Sequence, residues 1–585
     1  MGHDHDHGHT HEHGHHHDHD HSGHGHHHHH EEISESEAVV VDLGIPDKEL
    51  SPHQLGRRGF LRAAGVLGAG AATASLVTAS GVATAAAEEA DSSGRGTNNK
   101  APKVWLAGDH HIHTRYSSDG MYLVEDQVQH GVAYGLDWMV ITDHGSEQHV
   151  RIGVENVNPE IQASRKRHPN AFIFQGLEWN IPAAEHGTVI VHPGQHEVSV
   201  MRRFEEGFDG RVRSATGNTP ANEALARDGI MFLSDSVKRK QIDDALFLAN
   251  HPARNGIDSP HEVRGWRDTD PSIAVGWEGA PGHQAAGIST TQLGPGSARG
   301  YYGNAPGANS FAGYPLESYR TWGGFDFYTA TVGGLWDSML AEGKHWGISA
   351  NSDSHSNYLD TAQRGAGSDF NAKGFYNAPE YSGSPNTSAG DYWPGFYSRT
   401  VVGANKASYA NVMTGLRNHC VWVDHGRLLE SLDVRVRLNN QEAHLGGVLT
   451  ARRGQRAQLV VRIVPAQFPN WATFVPKLAK VDVIQGRVTG PVSDADTLHT
   501  PETKVVQTWD VTGRTDVIEL TYDLGEVGDT GFYVRLRGSD GKRTQAGFYG
   551  SSVDATGPAI DVVGDANPWQ DLWFYTNAIF VLPRR

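Results

Sequence analysis

The chain of 585 residues carries 49 Lys and Arg against 68 Asp and Glu, a net charge of −19, with 38% hydrophobic and 20% charged residues. That length suits two or three domains of roughly 100–200 residues each. A single cysteine, Cys420, excludes an intramolecular disulfide and any cysteine-built zinc or iron–sulfur site, and the acidic balance argues against a general nucleic-acid binder, which needs basic surface to displace counterions.

Of the 37 histidines, 17 fall in residues 1–30, where they alternate with Asp and Glu. Residues 1–56 therefore read as a disordered His-rich N-terminal region able to gather Zn, Ni or Cu loosely, and the interspersed acids favour a native tract over a purification tag. Residues 57–87 open with Arg57-Arg58, run through an uncharged stretch rich in Ala, Gly, Ser and Thr, and close at Ala85-Ala86-Ala87, a small-x-small cleavage pattern. This segment resembles a twin-arginine signal peptide and, with its weak hydrophobicity, fits a removable signal better than a transmembrane anchor. The resemblance implies passage through the twin-arginine export machinery to a periplasmic, cell-surface or extracellular location. It also implies no membrane association after cleavage and a mature charge of −11. Residues 88–103 form a polar linker.

From Val104 short apolar runs alternate with longer mixed segments: 104–108, 138–142, 171–179, 188–192, 245–251, 273–279 and 345–353. Each has strand length and ends in a polar or charged residue; Leu123–Tyr134 and Leu335–Glu342 between them read as helices. Repeated β-then-α units predict an α/β fold with a parallel sheet or barrel over 104–428, its active residues at strand C-terminal ends. Residues 284–324 and 364–397 lack periodicity and read as long loops over that face. Beyond Gly426 the runs 432–438, 457–464, 480–486, 516–524 and 531–538 alternate with turn signals, predicting a C-terminal all-β, sandwich-like domain over 429–585.

The chemistry concentrates at the strand ends. Gly108–Gly120 places His111 and His113 two apart, facing one way on an extended chain, with Asp119 in the following turn. The run 140–146 stops at Asp143-His144; 174–180 presents Glu178; His186 opens the next run, with His192 at its end as the alternative; 247–256 presents His251; and 347–358 repeats the i, i+2 spacing with Asp353 and His355. Imidazoles and carboxylates converging from separate strands suit transition-metal ions, because buried charges need partners. Asp109 and Asp143 read as groups orienting imidazoles. Arg254 and Arg115 read as phosphate clamps. His283 follows a strand end where substrate could touch it, whereas His130 and His149 read as solvent-facing and the Asp424–Gly426 repeat of the second motif as structural.

In this order the motifs HxH…SDG, TDHG, GLEW, NHP and SDSH resemble the polymerase and histidinol phosphatase (PHP) superfamily of metal-dependent phosphoesterases, over about residues 104–428. The resemblance implies a distorted (β/α)7 barrel holding two or three divalent ions (Mn, Fe or Zn). Carried over by position, His111 and His113 bind one metal, Glu178 bridges two, and Asp119, His144, His186, His251, Asp353 and His355 complete the set. The expected activity is an exported phosphoesterase hydrolysing small-molecule or oligomeric phosphate esters with a metal-bridged hydroxide, with Asp143, Arg254 and Arg115 as its catalytic auxiliaries and no stable nucleic-acid partner. The alternatives are an amidohydrolase-type hydrolase, for which no lysine ends a strand, and a non-catalytic metal-binding or surface protein.

Overall fold

The computed structural model describes residues 100–286, 302, 304–561 and 567–584. All of these belong to one compact unit, Ala64–Arg585, and the expected His-rich region, the signal peptide and residues 88–99 of the linker lie outside the described residues.

Nine strands frame the first part: β1 (Val104–Ile112), β2 (Trp138–Ile141), β3 (Phe172–Asn180), β4 (His186–Val191), β5 (Ala245–Ala249), β6 (Ala274–Ala280), β7 (Gly347–Ala350), β8 (Ser398–Ala404) and β9 (Val421–His425). Helices cover them: α1 (Val124–Ala133), α2 (Val154–Arg167), α3 (Glu197–Phe208), α4 (Pro220–Lys238), α5 (Pro260–Thr269), α6 (Leu335–Ala341) and α7 (Tyr409–Arg417), beside several single turns. β2 and β5 are buried at every residue, as strands covered on both faces must be, so they read in sequence as unbroken apolar runs. Helix starts are equally local. Thr219 caps α4 by accepting the Asn222 N–H, with Pro220 at the first helical position. Ser259 and Glu262 form a reciprocal capping box at α5.

The strands run in the order β7-β6-β5-β4-β3-β2-β1-β8-β9, as part of a 15-stranded mixed sheet. Three features correct the expected barrel of repeated parallel units. First, β4 is antiparallel to both β3 and β5. Only Ile181–Glu185 separate β3 from β4, far fewer residues than a parallel crossover needs. Second, β8, which the sequence reading passed over, lies antiparallel beside β1 and continues into β9. Third, the sheet is open: no backbone ladder joins β7 to β8. Side chains span that gap, with Thr400 Oγ1 accepting the Ala350 N–H at 2.8 Å and donating to the Ala350 carbonyl at 2.6 Å, while Asn577 Oδ1 accepts the Ile348 N–H at 2.9 Å.

The C-terminal strands do not stand apart from this sheet. Trp573–Thr576 pairs with β9, and Phe532–Ser539, Lys480–Arg487 and Lys504–Asp510 extend the sheet outward. A second, 4-stranded sheet carries Leu429–Leu438, Gln441–His444, Arg456–Pro465 and Ile518–Glu526. The alternating side chains Val434, Val436, Leu459, Val461 and Ile463 of the smaller sheet share one core cluster with Val481, Val483, Val534 and Leu536 of the larger. The result is a sandwich, as the alternation predicts. Among the described residues no helix is long and apolar enough to cross a membrane.

Candidate metal centre

The rim of the sheet gathers side chains from six strands. His111 and His113 stand at the end of β1, with Nε2 atoms 2.9 Å apart. Glu178 lies at the centre. Its Oε1 faces His111 Nε2 at 3.3 Å, His186 Nδ1 at 2.9 Å and His251 Nε2 at 3.2 Å; its Oε2 faces His113 Nε2 at 3.2 Å and His144 Nδ1 at 2.7 Å. Asp353 Oδ1 approaches the same Nε2 atoms of His111 and His113 at 3.1 and 3.2 Å. Asp119 Oδ2 lies 3.2 Å from His144 Nε2 and 3.7 Å from His355 Nε2 at the more exposed edge. The structure thus brings together all nine residues singled out as metal ligands.

His186 comes from the start of a strand, not its end. Because β4 runs backwards, its first residue pairs with Asn180, the last residue of β3, and so reaches the same rim. His192, at the far end of β4, sits at the opposite rim, 3.6 Å from Asp243. Two ligand positions also hold unfavourable backbone: His251 has φ 32° and Asp353 φ 48°, both in the left-handed region that side chains other than glycine rarely occupy.

The donor set itself indicates what belongs there. His144 Nδ1, Glu178 Oε2, His186 Nδ1, His251 Nδ1 and Asp353 Oδ1 are buried and form no hydrogen bond, despite approaches as short as 2.7 Å. Buried polar atoms are almost always bonded, so five orphans among the clustered His, Asp and Glu side chains of this rim call for other partners. Nitrogens and carboxylate oxygens fall into overlapping groups that fit divalent cations: His111, His113 and Asp353; His113, Asp119, His144 and His355; His144, Glu178 and His186; Glu185, His186 and His251. The electrostatics agree. Burial would lower the imidazole pKa values and raise those of the carboxyls. Against it, Asp353, Glu178 and Glu278 hold His111 well above its ordinary value, while His144, His186 and His111 hold Glu178 well below. His144 is likewise raised to about 9 and His355 to about 10 by the carboxylates around them, burial opposing. Concentrated negative charge at the bottom of a cleft attracts cations.

A further shell fixes these rings. His113 Nδ1 meets Ser117 Oγ at 2.8 Å, and His111 Nδ1 meets Glu278 Oε1 at 2.6 Å, while Glu278 Oε2 accepts the His251 backbone N–H at 2.7 Å. Asp391 Oδ2 accepts the backbone N–H groups of His355 and Ser356 at 2.9 and 3.1 Å. Glu278 belongs to none of the sequence motifs, although it ends an apolar strand as Glu178 does; Asp391 lies in an aperiodic loop that gives no signal. Asp109 and Asp143, expected to orient imidazoles, hold backbone instead. Asp109 accepts the N–H groups of His111 and Ser352, and Asp143 accepts the Thr114 N–H at 2.6 Å and its hydroxyl at 2.7 Å.

The two arginines part ways. Arg254 lines the cleft, held by Glu185 at 2.8 Å and by Gln284 at 3.0 Å. Arg115 turns outward from the rim, bonded to Glu160 at 2.5 Å and lying over the Phe375 ring, so it is not placed to clamp a phosphate. His283 does line the cleft, its Nδ1 2.6 Å from the Asp353 carbonyl. His149, expected to face solvent, is buried against Glu205 at 2.9 Å, while His130 stacks on Trp393 and stays partly exposed. Asp424 pairs with Arg399 at 2.7 and 3.1 Å, away from the cleft.

Residues 109–250 match the family model of the PHP domain. No curated protein matches the chain. Among solved structures, the chain is similar to a two-domain protein from Bacteroides vulgatus described as containing a predicted PHP-like metal-dependent phosphoesterase: 13% identity over 82% of this chain and 100% of that one, TM-score 0.28. It is also similar to a lesion-specific endonuclease from Pyrococcus furiosus: 10% identity over 54% of this chain and 56% of that one, TM-score 0.26. Likenesses this distant transfer neither substrate nor partner.

Proposed function

We propose that this protein is an exported phosphoesterase whose cleft hydrolyses phosphate esters with two or three divalent cations, Mn, Fe or Zn, held by His111, His113, Asp119, His144, Glu178, His186, His251, Asp353 and His355. The observation that carries the reading is the set of five unbonded buried atoms on His144, Glu178, His186, His251 and Asp353, the first three of these residues inside the segment that matches the PHP domain. Such ions lower the pKa of bound water and neutralise charge growing on the phosphoryl oxygens. The chain's own residues do the rest. Arg254, tied down by Glu185 and Gln284, presents a fixed cation to a nonbridging phosphate oxygen. Glu278 and Ser117 keep the His111 and His113 rings aimed inward, and the Asp391 carboxylate pins the turn that carries His355. Among the described residues no lysine lines the cleft, so nothing there favours the amidohydrolase alternative with its usual carboxylated side chain. Export rests on the resemblance of residues 57–87 to a twin-arginine signal.

The test combines elemental analysis of residues 88–585 with assays on aryl phosphate monoesters and diesters under Mn, Fe and Zn. Turnover is expected with at least one metal, and Glu178→Gln should abolish both turnover and metal retention. A fully metallated sample that releases no phosphate from any ester would refute the reading. Deleting residues 1–30 should leave activity intact; loss of all bound metal on that deletion would favour a metal-gathering tract as the protein's purpose.

A further inference from the structure

We infer that Arg211 determines specificity by receiving a second anionic group of the substrate at the mouth of the cleft, so that the substrate is a small polar phosphate ester bearing two anions. The inference rests on the phosphoesterase reading for the first of these groups.

Among the described residues two arginines line the cleft, which encloses about 710 Å³. Arg254 follows directly on the ligand strand end and is half-buried against Glu185. Arg211 is exposed, and among the described residues its guanidinium has no hydrogen-bond or ion-pair partner. An exposed arginine on a loose loop would be an ordinary solvated charge. This one stands on a rigid turn. The fully buried carboxylate of Asp209 accepts four hydrogen bonds: Oδ1 from the N–H groups of Arg211 and Val212 at 2.9 and 3.1 Å, and Oδ2 from the backbone and side-chain N–H of Asn180 at 3.0 and 2.8 Å. Gly210 N–H donates to the Asn180 carbonyl at 2.7 Å, and Arg213 N–H to the Asp209 carbonyl at 2.8 Å. Gly145 makes this approach possible, since a Cβ there would lie 2.1 Å from Asp209 Oδ2.

The turn bearing Arg211 is thereby bolted to the end of β3, two residues beyond Glu178, and against the residue that follows His144. A charge held this way needs little ordering when it meets an anion. The remaining lining sets the rest of the substrate's chemistry. Among the described residues no Phe, Tyr, Trp or branched aliphatic side chain faces the cleft, and Asn386 and Ser388 supply amide and hydroxyl groups. Discrimination must come from charge and hydrogen bonds, with one cation deep beside the reacting phosphate and one at the entrance.

The experiment measures calorimetric binding of a hexose monophosphate and the matching hexose bisphosphate to the zinc-loaded protein, alongside phosphate release from each. The wild type is expected to bind the bisphosphate about tenfold more tightly, the order of one charge-assisted hydrogen bond. Arg211→Gln should bring that ratio close to one, and Arg211→Lys should keep part of it. A wild-type ratio near one, a ratio unchanged in Arg211→Gln, or no binding of either sugar phosphate would overturn the inference. Intact discrimination without phosphate release would instead uphold the second anion site and remove these sugar phosphates as substrates, leaving the phosphoesterase reading to the ester screen above.

Discussion

At the scale of single residues, Glu278 is the position where a small change should matter most without touching a proposed ligand set. Its carboxylate accepts on both sides, from the His111 ring at 2.6 Å and from the His251 backbone N–H at 2.7 Å, so it fixes the tautomer of one ligand and the left-handed backbone of another. Glu278→Gln keeps shape and volume but can accept on one side only. The amide NH2 would then face either a second donor or the imidazole nitrogen whose proton it should receive. Metal affinity should fall roughly 10- to 100-fold, as for other partners of ligating histidines. Competition against a chelator of known affinity checks this; an affinity within twofold of wild type would mean that Glu278 is a core carboxylate with no hold on the metal. Asp119→Asn tests the other edge. That carboxylate is half exposed and lies at the edge of the site beside His144 and His355, so its loss should weaken the outer ion most, and elemental analysis should show a fractional drop in metal content, not its disappearance.

At the scale of elements, helix α5 carries a pH-dependent start. Ser259 and Glu262 cap it reciprocally, but Glu262 is buried, and burial lifts its carboxyl to about 7 even against the Ser259 hydrogen bonds. A carboxyl whose folded pKa lies above its unfolded one binds protons more tightly in the fold. Its favourable contribution is therefore complete below about pH 4.5 and is lost as pH climbs to about 7. Glu262→Gln keeps the capping geometry and removes the titration. The variant should match wild type near pH 4.5 and exceed it at pH 8 by on the order of 2 kcal/mol, read from urea unfolding at the two pH values. A stability difference that does not change with pH would remove Glu262 from the account. Elements such as α1 and α6 were legible to within a residue or two because their apolar periodicity is local, and the HxH and SDSH spacings exposed their ligands because both residues of each pair lie on one stretch of backbone. What escaped depends on contacts distant in sequence. The direction of β4 follows from a tight turn at Ile181–Glu185. β8 is placed by its pairing with β1 nearly 300 positions earlier, and Asp391 reaches the site from a loop with no pattern of its own.

At the scale of the whole molecule, the C-terminal strands hold the site's scaffold together. Trp573–Thr576 pairs with β9, and Trp573, Tyr575 and Phe580 lie in the same buried cluster as Trp277, Trp336 and Ile348 beneath the cleft. The join is also ionic: Asp337 of α6 receives Arg535 at 2.8 and 2.7 Å and the Tyr533 hydroxyl at 3.1 Å, with Asp337 and Arg535 wholly buried and Arg535 lying over the Trp336 ring. Removing one member of a buried pair strands the other, at a cost of about 3–5 kcal/mol. Arg535→Met should therefore lower stability by that amount, although it lies outside the cleft. Because the core is continuous across this junction, the cleft and the sandwich should unfold together. Tryptophan fluorescence and metal release, followed through the same urea titration, are expected to give coincident transitions in wild type and coincident, earlier transitions in Arg535→Met. A chain ending at residue 428 should fail to unfold cooperatively, having lost the strand that covers β9. Two separated transitions in the wild type, or a truncated chain that keeps its metal, would show instead that the metal-bearing sheet folds without the sandwich and that the buried pair merely docks one onto the other.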